Sequence, residues 1–237
     1  MRIAVYCSSS LAIDPKYIDL AHSLGAGIAA RSWELVSGGG HVSAMGAVSR
    51  GARETGGKTI GVIPQRLVDI EFADKECDEL HIVDSMRNRK AMIENLSDAF
   101  IALPGGIGTL EELFEIWVGR FLKFHNKPVI ILDPYDLYAP LATLIDHLEE
   151  HGFVKPGQRE LLHWAKSVDQ ALDIATNNST NNSRNNSTNN SRNTSLKKSK
   201  IIPSANPKSR SKSPEDLKKG TKKKALRIRQ GLRICQY

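Results

Sequence analysis

Ser97-Asp-Ala-Phe-Ile-Ala-Leu-Pro-Gly-Gly-Ile-Gly-Thr-Leu-Glu-Glu112 decides the fold. Ala99 to Leu103 is a short apolar run, the pattern of a fully buried strand. It runs into Pro104-Gly105-Gly106-Ile107-Gly108, a turn with little side-chain bulk, and a helix is predicted from Thr109. A strand, a glycine turn and a helix in succession aim unpaired backbone N–H groups at an anion. Glycines let a phosphate approach the main chain, and the helix dipole favours negative charge there. Many such turns bind nothing. What sets this one apart is Glu112, a carboxylate on the first predicted helical turn. A carboxylate does not help to hold phosphate, so an acid beside an anion pocket points to chemistry on a phosphorylated substrate.

Outward from this stretch, strands and helices alternate. Strands are predicted at Ile3 to Cys7, Glu34 to Ser37, Lys58 to Ile63, Leu80 to Val83 and Pro128 to Leu132. Helices are predicted from Asp14-Pro15 to Arg31, Ala44 to Thr55, Ser85 to Leu96 and Leu137 to His151, with two short helices ending near Thr176. Asp14 is a good N-cap and Pro15 a good first helical residue. A loop containing Glu71 follows the third strand. Repeated βα units imply an α/β fold, a Rossmann-like, doubly wound and largely parallel sheet with helices on both faces. Ligands of such sheets bind beyond the carboxyl ends of the strands. Here those ends read Cys7-Ser-Ser-Ser10, Gly38-Gly39-Gly40 and Pro104-Gly105-Gly106, all small, as a nucleotide-sized pocket requires.

Composition divides the chain in two. Residues 1–176 carry 17 Lys and Arg against 24 Asp and Glu, a net of −7, whereas residues 177–237 carry a net of +14. The basic isoelectric point thus belongs to the tail, and the acidic body argues against nucleic acid as its ligand. No apolar run is long enough to span a membrane, and no signal peptide is expected after Met1-Arg2. Cys7, Cys77 and Cys235 are odd in number and far apart, which fits reduced thiols in a cytoplasmic setting. No Cys/His spacing resembles a zinc site. From Asn177 the octad Asn-Asn-Ser-Thr-Asn-Asn-Ser-Arg occurs twice in succession, followed by Lys/Arg-rich sequence. An octad without apolar residues buries too little surface to offset its ordering entropy, so 177–237 is expected to be disordered. Its basic end is either a solvated tail or a weak handle for polyanions.

Two residues could carry chemistry. Met86, Met92, Ile93 and Leu96 form one stripe of their predicted helix, and Arg89 lies inside it. A buried arginine needs an anionic partner: either an internal ion pair or a substrate anion. Glu112 is either a catalytic acid or the reciprocal partner in a capping box with Thr109 as N-cap. Gly38 to Gly40 do not form a G-x-G-x-x-G fingerprint, which gives NAD little support. Cys7 reads as a buried inert thiol.

Pro104-Gly-Gly-Ile-Gly-Thr-Leu-Glu-Glu112 resembles the P-G-G-x-G-T-x-x-E motif of the LONELY GUY family, cytokinin riboside 5′-monophosphate phosphoribohydrolases once labelled lysine decarboxylases. Met86-Arg-Asn-Arg-Lys90 is similar to its M-H-x-R-K motif, and Gly38-Gly-Gly-His-Val-Ser-Ala-Met-Gly46 to its G-G-G-x-x-G-L-M-G turn. The resemblance spans about residues 1–165. It implies a Rossmann-like fold, a homodimer or larger assembly, and hydrolysis of a purine nucleoside 5′-monophosphate to free base and ribose 5-phosphate. It places the catalytic pair on Arg89 and Glu112 and the phosphate-binding turn on Gly106, Ile107, Gly108 and Thr109. Glu71 and Lys90 occupy positions of substrate contacts, and Gly39, Gly40, Met86, Gly105, Leu110 and Glu111 complete the implied set. Arg87 replaces the usual histidine, and Ser43-Ala44 replace Gly-Leu.

The chemistry implied needs neither metal nor redox cofactor. A carboxylate stabilises positive charge developing on the ribose carbon and takes a proton from water, and Arg89 is expected to keep Glu112 ionised. A non-catalytic carrier of a nucleotide or molybdenum cofactor on the same fold would keep the glycine turn but require neither residue. Amino-acid decarboxylation would need a pyridoxal-bearing lysine, for which no site is apparent. Truncation after Thr176 should leave melting temperature and activity essentially unchanged at ~150 mM salt, because exposed tail charges are screened there. A large loss of either in the fragment would place the tail in the folded domain.

Overall fold

The computed structural model describes residues 1–70 and 72–177. Its elements are β1 (Arg2–Tyr6), α1 (Pro15–Ala30), β2 (Glu34–Ser37), α2 (Ser43–Glu54), β3 (Thr59–Pro64), the short α3 (Gln65–Asp69) and β4 (Glu79–Val83). There follow α4 (Met86–Leu96), β5 (Ala99–Ala102), α5 (Ile107–Phe121), β6 (Val129–Leu132), α6 (Ala139–Glu150) and β7 (Leu162–Ala165). A last helix, α7, covers 168–177. The strands form one sheet in the order β4-β3-β2-β1-β5-β6-β7, with every pairing parallel. The order reverses direction at β1 and β5, which lie side by side. A crevice opens between the loops that leave such a pair in opposite directions.

Strand periodicity sorts side chains between two cores. Ile3 and Val5 of β1, with Ile101 of β5, pack with Leu24, Ile28, Val48 and Leu172 on one face. Ala4 and Tyr6, with Phe100, the register partner of Ala4, pack with Ile93, Leu113, Trp117 and Ile145 on the other. Helices α1, α2 and α7 thus cover one face and α4, α5 and α6 the other. Each large side chain so buried contributes about 1.5–3 kcal/mol, which is why the central strands read as continuous apolar runs.

The expected Asp14 cap is present: its carboxylate accepts from the Lys16 N–H at 3.0 Å, with Pro15 opening α1. Three expectations are corrected. The loop after β3 contains a five-residue helix. Helix α5 begins at Ile107, two residues before Thr109. The first of the two expected helices after His151 is a single 3₁₀ turn, Arg159–Leu161, leading into β7. Four residues are too few to display a period, and Leu162–Ala165 becomes a strand because β6 offers it an edge. The expectation for 177–237 lies, apart from Asn177, outside the described residues; because α7 extends to 177, a cut after Thr176 removes its last residue.

Helices α1 and α2 approach closely at two glycines. A Cβ on Gly51 would stand 2.0 Å from the His22 carbonyl oxygen, and one on Gly25 2.0 Å from that of Val48. Gly51→Ala should therefore lower stability by about 1–3 kcal/mol through forced separation of the two backbones. Alanine's helix propensity alone would favour the variant by about 1 kcal/mol. Urea unfolding decides between them; a gain in stability would mean that the helices part freely.

Candidate active site

At the carboxyl edge of the sheet, beside the β1/β5 reversal, lies a cleft of about 520 Å³. Its floor is Cys7 to Ser10, which follow β1, together with Gly38 and Gly40, which follow β2. Gly106, Gly108, Thr109, Glu111 and Glu112 of α5 and its approach form one wall. The opposite wall is apolar: Ile63, Leu67, Ile70 and Phe72 from β3, α3 and the segment after it, with Met45 and Met86.

Arg89 and Glu112 meet at the base of this cleft. The Arg89 side chain is 10% exposed and that of Glu112 12%, and Nη1 donates to Oε1 at 3.4 Å. The guanidinium also donates through Nε to the Val62 carbonyl at 3.1 Å and through Nη2 to the Gly38 carbonyl at 3.3 Å. Gly38 is required for this packing, since a Cβ there would lie 1.7 Å from Nη2. Arg89 is thus both in an internal ion pair and on the cleft wall; the two readings of its position in the stripe coincide. Glu112 is no capping residue. With Gly106 as N-cap, Thr109 is already inside the helix and Glu112 lies a turn beyond the cap. Burial raises the Glu112 carboxyl above the ordinary glutamate value, and Arg89 opposes that rise, as expected of an opposite charge, without cancelling it.

No side chain caps α5, so the first N–H groups after Gly106 lack an intrahelical partner, at the wall of the cleft that Gly106, Gly108 and Thr109 line. The turn before them is fixed from behind by Tyr138, whose hydroxyl accepts from the Gly105 N–H at 2.8 Å and lies 2.9 Å from the Gly105 carbonyl. Asp133 in turn accepts from the Tyr138 N–H at 2.8 Å. Burial pushes the Tyr138 phenol up to about 12, so it remains protonated and can donate to a carbonyl. Burial also pushes the Cys7 thiol far above its usual range, which leaves it unreactive.

The other expected contacts divide. Gly40, Met86, Gly106, Gly108, Thr109 and Glu111 line the cleft with the pair. Lys90 does not: it pairs with Glu111 and, at 2.7 Å, with Glu115 of α5. Gly39 is buried with φ +70° and shapes the turn from within. Gly105 and Leu110 lie behind the turn, Leu110 against the second core, and Ile107 is 89% exposed. Glu71 lies outside the described residues. Sequence reasoning missed Tyr138, 33 residues from its partner, and the apolar wall, whose trace was Leu67, Ile70 and Phe72 interspersed with charged residues after β3. Among the described residues, a group able to hold a metal ion occurs at His147, Glu150 and His151, none of which lines the cleft.

Sheet order and cleft define a Rossmann-like α/β protein with a nucleotide-sized site at its topological switch point. A family model described as "Possible lysine decarboxylase" matches residues 45–175. A Mycobacterium tuberculosis protein named cytokinin riboside 5′-monophosphate phosphoribohydrolase is 47% identical over 170 residues, covering 72% of this chain and 90% of its own. An Arabidopsis thaliana protein of that name is 42% identical over 160 residues, covering 68% and 70%. The chain belongs to this family, the LONELY GUY phosphoribohydrolases. The fold is shared with a molybdenum cofactor binding protein from Rippkaea orientalis (TM-score 0.59, 24% identity, 74% of this chain and 95% of that one). It is shared also with the molybdenum cofactor carrier protein of Chlamydomonas reinhardtii (TM-score 0.56, 22% identity, 75% and 96%). At such identities the likeness is one of fold.

Of the departures from the motifs, Arg87 is exposed and does not line the cleft. Ser43 has a physical account. It adopts φ +52°, a conformation in which glycine is at ease, at the start of α2. Its hydroxyl donates to the Ser10 carbonyl at 2.5 Å, tying the β2 turn to the β1 loop across the cleft floor. The left-handed backbone costs a non-glycine residue about 1–2 kcal/mol, and the hydrogen bond returns about 0.5–1.5 kcal/mol. Ser43→Ala, which keeps the strain and loses the bond, should be less stable by about 1 kcal/mol. Ser43→Gly, which loses both, should stay close to the parent. Denaturant midpoints of the three proteins test the order, and an alanine variant as stable as the parent would refute it.

Proposed function

We propose that this chain hydrolyses the N-glycosidic bond of purine riboside 5′-monophosphates, cytokinin-type bases among them, releasing free base and ribose 5-phosphate. The observation that carries the reading is a buried carboxylate, Glu112, held against Arg89 one helical turn from the uncapped start of α5. The 5′-phosphate is received by the N–H groups of that turn. The sugar then lies over Glu112, and the base extends along the apolar wall of Ile63, Leu67, Ile70 and Phe72. As the C1′–N bond breaks, its electrons leave with the base and positive charge develops on the ribose. The ionised Glu112 stabilises that charge and takes a proton from the attacking water, whose oxygen bonds to C1′; the departing nitrogen gains a proton. Arg89 keeps the acid in place and, by its charge, limits how far burial raises its pKa. Binding energy at the phosphate is thereby used to position the reacting carbon.

The carrier alternative is supported by fold likeness only, and it gives the Arg89–Glu112 pair no task. The assembly we propose is a homodimer or a larger oligomer; Phe114 and Val118 of α5 and Leu122 at its C-cap, spaced four residues apart, are 36%, 42% and 53% exposed. Cytoplasmic residence is supported by the free thiols of Cys7 and Cys77, and weak polyanion binding by the charge of the tail.

The test is release of base from AMP and from an isopentenyladenine riboside monophosphate, with ribose 5-phosphate assayed in parallel. The matching nucleosides should be very poor substrates. Glu112→Gln should retain nucleotide binding and lose at least about 100-fold in kcat; near-parental turnover would remove Glu112 from the chemistry. Because burial raises the Glu112 pKa, activity is present when the group is ionised and is lost as pH falls through that raised value. The acid limb of kcat/KM, which reports the free enzyme, should therefore lie above the ~4.3 of a free glutamate. Correcting it for the separately measured titration of the substrate phosphate, with a pKa of about 6, leaves the enzyme's own limb. A limb at or below the free value would show that Glu112 works as an exposed acid.

A further inference from the structure

We propose that His147, Glu150 and His151 form a surface site for a late first-row divalent transition metal, the class of Zn²⁺, Ni²⁺ and Cu²⁺. The three residues sit at positions i, i+3 and i+4 near the carboxyl end of α6, a spacing that stacks them on one helix face. Their ligand atoms all lie within 4.8 Å of one another. The two imidazole rings are 4.2 Å apart between centroids and tilted by 52°.

The hydrogen bonding of His151 prepares it for a metal. Its Nδ1 lies 2.9 Å from the His147 carbonyl oxygen. A carbonyl only accepts, so Nδ1 carries the hydrogen and Nε2 presents its lone pair. An N–H anchored on a backbone carbonyl, with the opposite nitrogen free, is the usual outer support of a metal-bound histidine. The final carbonyls of α6 add negative potential, which favours a cation. Arg159, the nearby guanidinium, is engaged with Asp146 at 2.6 Å and Glu149 at 3.7 Å rather than with Glu150.

The donor set selects the ion. Two imidazoles and one carboxylate suit zinc, nickel and copper, whereas calcium and magnesium call for oxygen ligands. A tetrahedral zinc with bonds of about 2.0–2.1 Å brings its donors to roughly 3.3 Å from one another. All three residues are exposed, so rotamer changes close the remaining gap at little cost. Three protein ligands leave a fourth position for water or for a donor from another molecule. Among the described residues the thiols are poor competitors: Cys7 is buried, and burial pushes Cys77 up to about 12. The site stands at the far end of α6 from Tyr138 and the glycine turn, about 18 Å along a helix of this length.

The experiment uses the full chain, stripped with a chelator and dialysed. ZnCl₂ and NiCl₂ are titrated calorimetrically at constant pH, and the Cu²⁺ complex is examined by electron paramagnetic resonance for coordination by two nitrogens. His147→Ala and His151→Ala should each weaken binding at least about tenfold, and Glu150→Gln should do so by less. Metal-free melting temperatures should match the parent, since the side chains are exposed. Zinc and nickel isotherms unchanged in the His147→Ala/His151→Ala double variant would overturn the proposal. So would a parent chain that binds neither ion below ~1 mM.

Discussion

A positive charge taken out of water sets the terms for the rest of this active site. Arg89 reaches the sheet from α4 and is satisfied by two strand-end carbonyls and one carboxylate. Each partner comes from a different part of the chain: Gly38 after β2, Val62 in β3 and Glu112 in α5. The guanidinium therefore acts as a gauge of assembly, because its desolvation is compensated only when all three elements are in register. Gly38 has to be a glycine for the fit, and Glu112 has to be buried to complete it. The burial that makes the pair costly is also what raises the carboxyl's pKa and places it within reach of a substrate.

Much of this was legible in the sequence because it depended on local pattern. Alternation along the strands and an arginine inside an apolar stripe reflect periods of two or 3.6 residues, and small residues, glycine at two of them, mark three strand ends. The resemblance of two short motifs then placed Arg89 and Glu112 together, and the ion pair between them is present. What was not legible depended on partners distant in sequence. The resemblance gave Lys90 as a substrate contact and carried no sign of the ion pairs it makes with Glu111 and Glu115 of another helix. Tyr138 carries no signal of its own, since its hydroxyl matters only for a turn 33 residues earlier. The start of α5 was misplaced because Thr109 and Glu112 have the spacing of a capping box. The glycines allow the helix to begin sooner, at Ile107, and the apparent box falls inside it.

The glycine turn before α5 and the Arg89–Glu112 pair are supported in different ways. The turn is held by a relay of hydrogen bonds, Asp133 to Tyr138 to Gly105, that starts just after β6 and approaches from the second core. The pair is held by the Gly38 carbonyl after β2 and the Val62 carbonyl of β3. The turn thus depends on one half of the doubly wound sheet and the pair partly on the other. The crevice between β1 and β5 is where the two halves can act on one molecule.

The apolar wall stands apart from both. The segment from Ile63 to Phe72 leaves β3 and returns at an isolated antiparallel bridge between Gly40 and Ala73. The His41 N–H donates to the Phe72 carbonyl at 3.0 Å and the Asp74 N–H to that of Gly39 at 2.8 Å. The segment is therefore joined to the sheet at both ends, by β3 itself and by this bridge, and neither Arg89 nor Glu112 belongs to it. On the function proposed above, exchanging its apolar side chains would change which base the cleft prefers while leaving the Arg89–Glu112 pair intact. Base preference can then diverge among relatives without a return to the chemistry, and the two properties are separable units for evolution and for engineering.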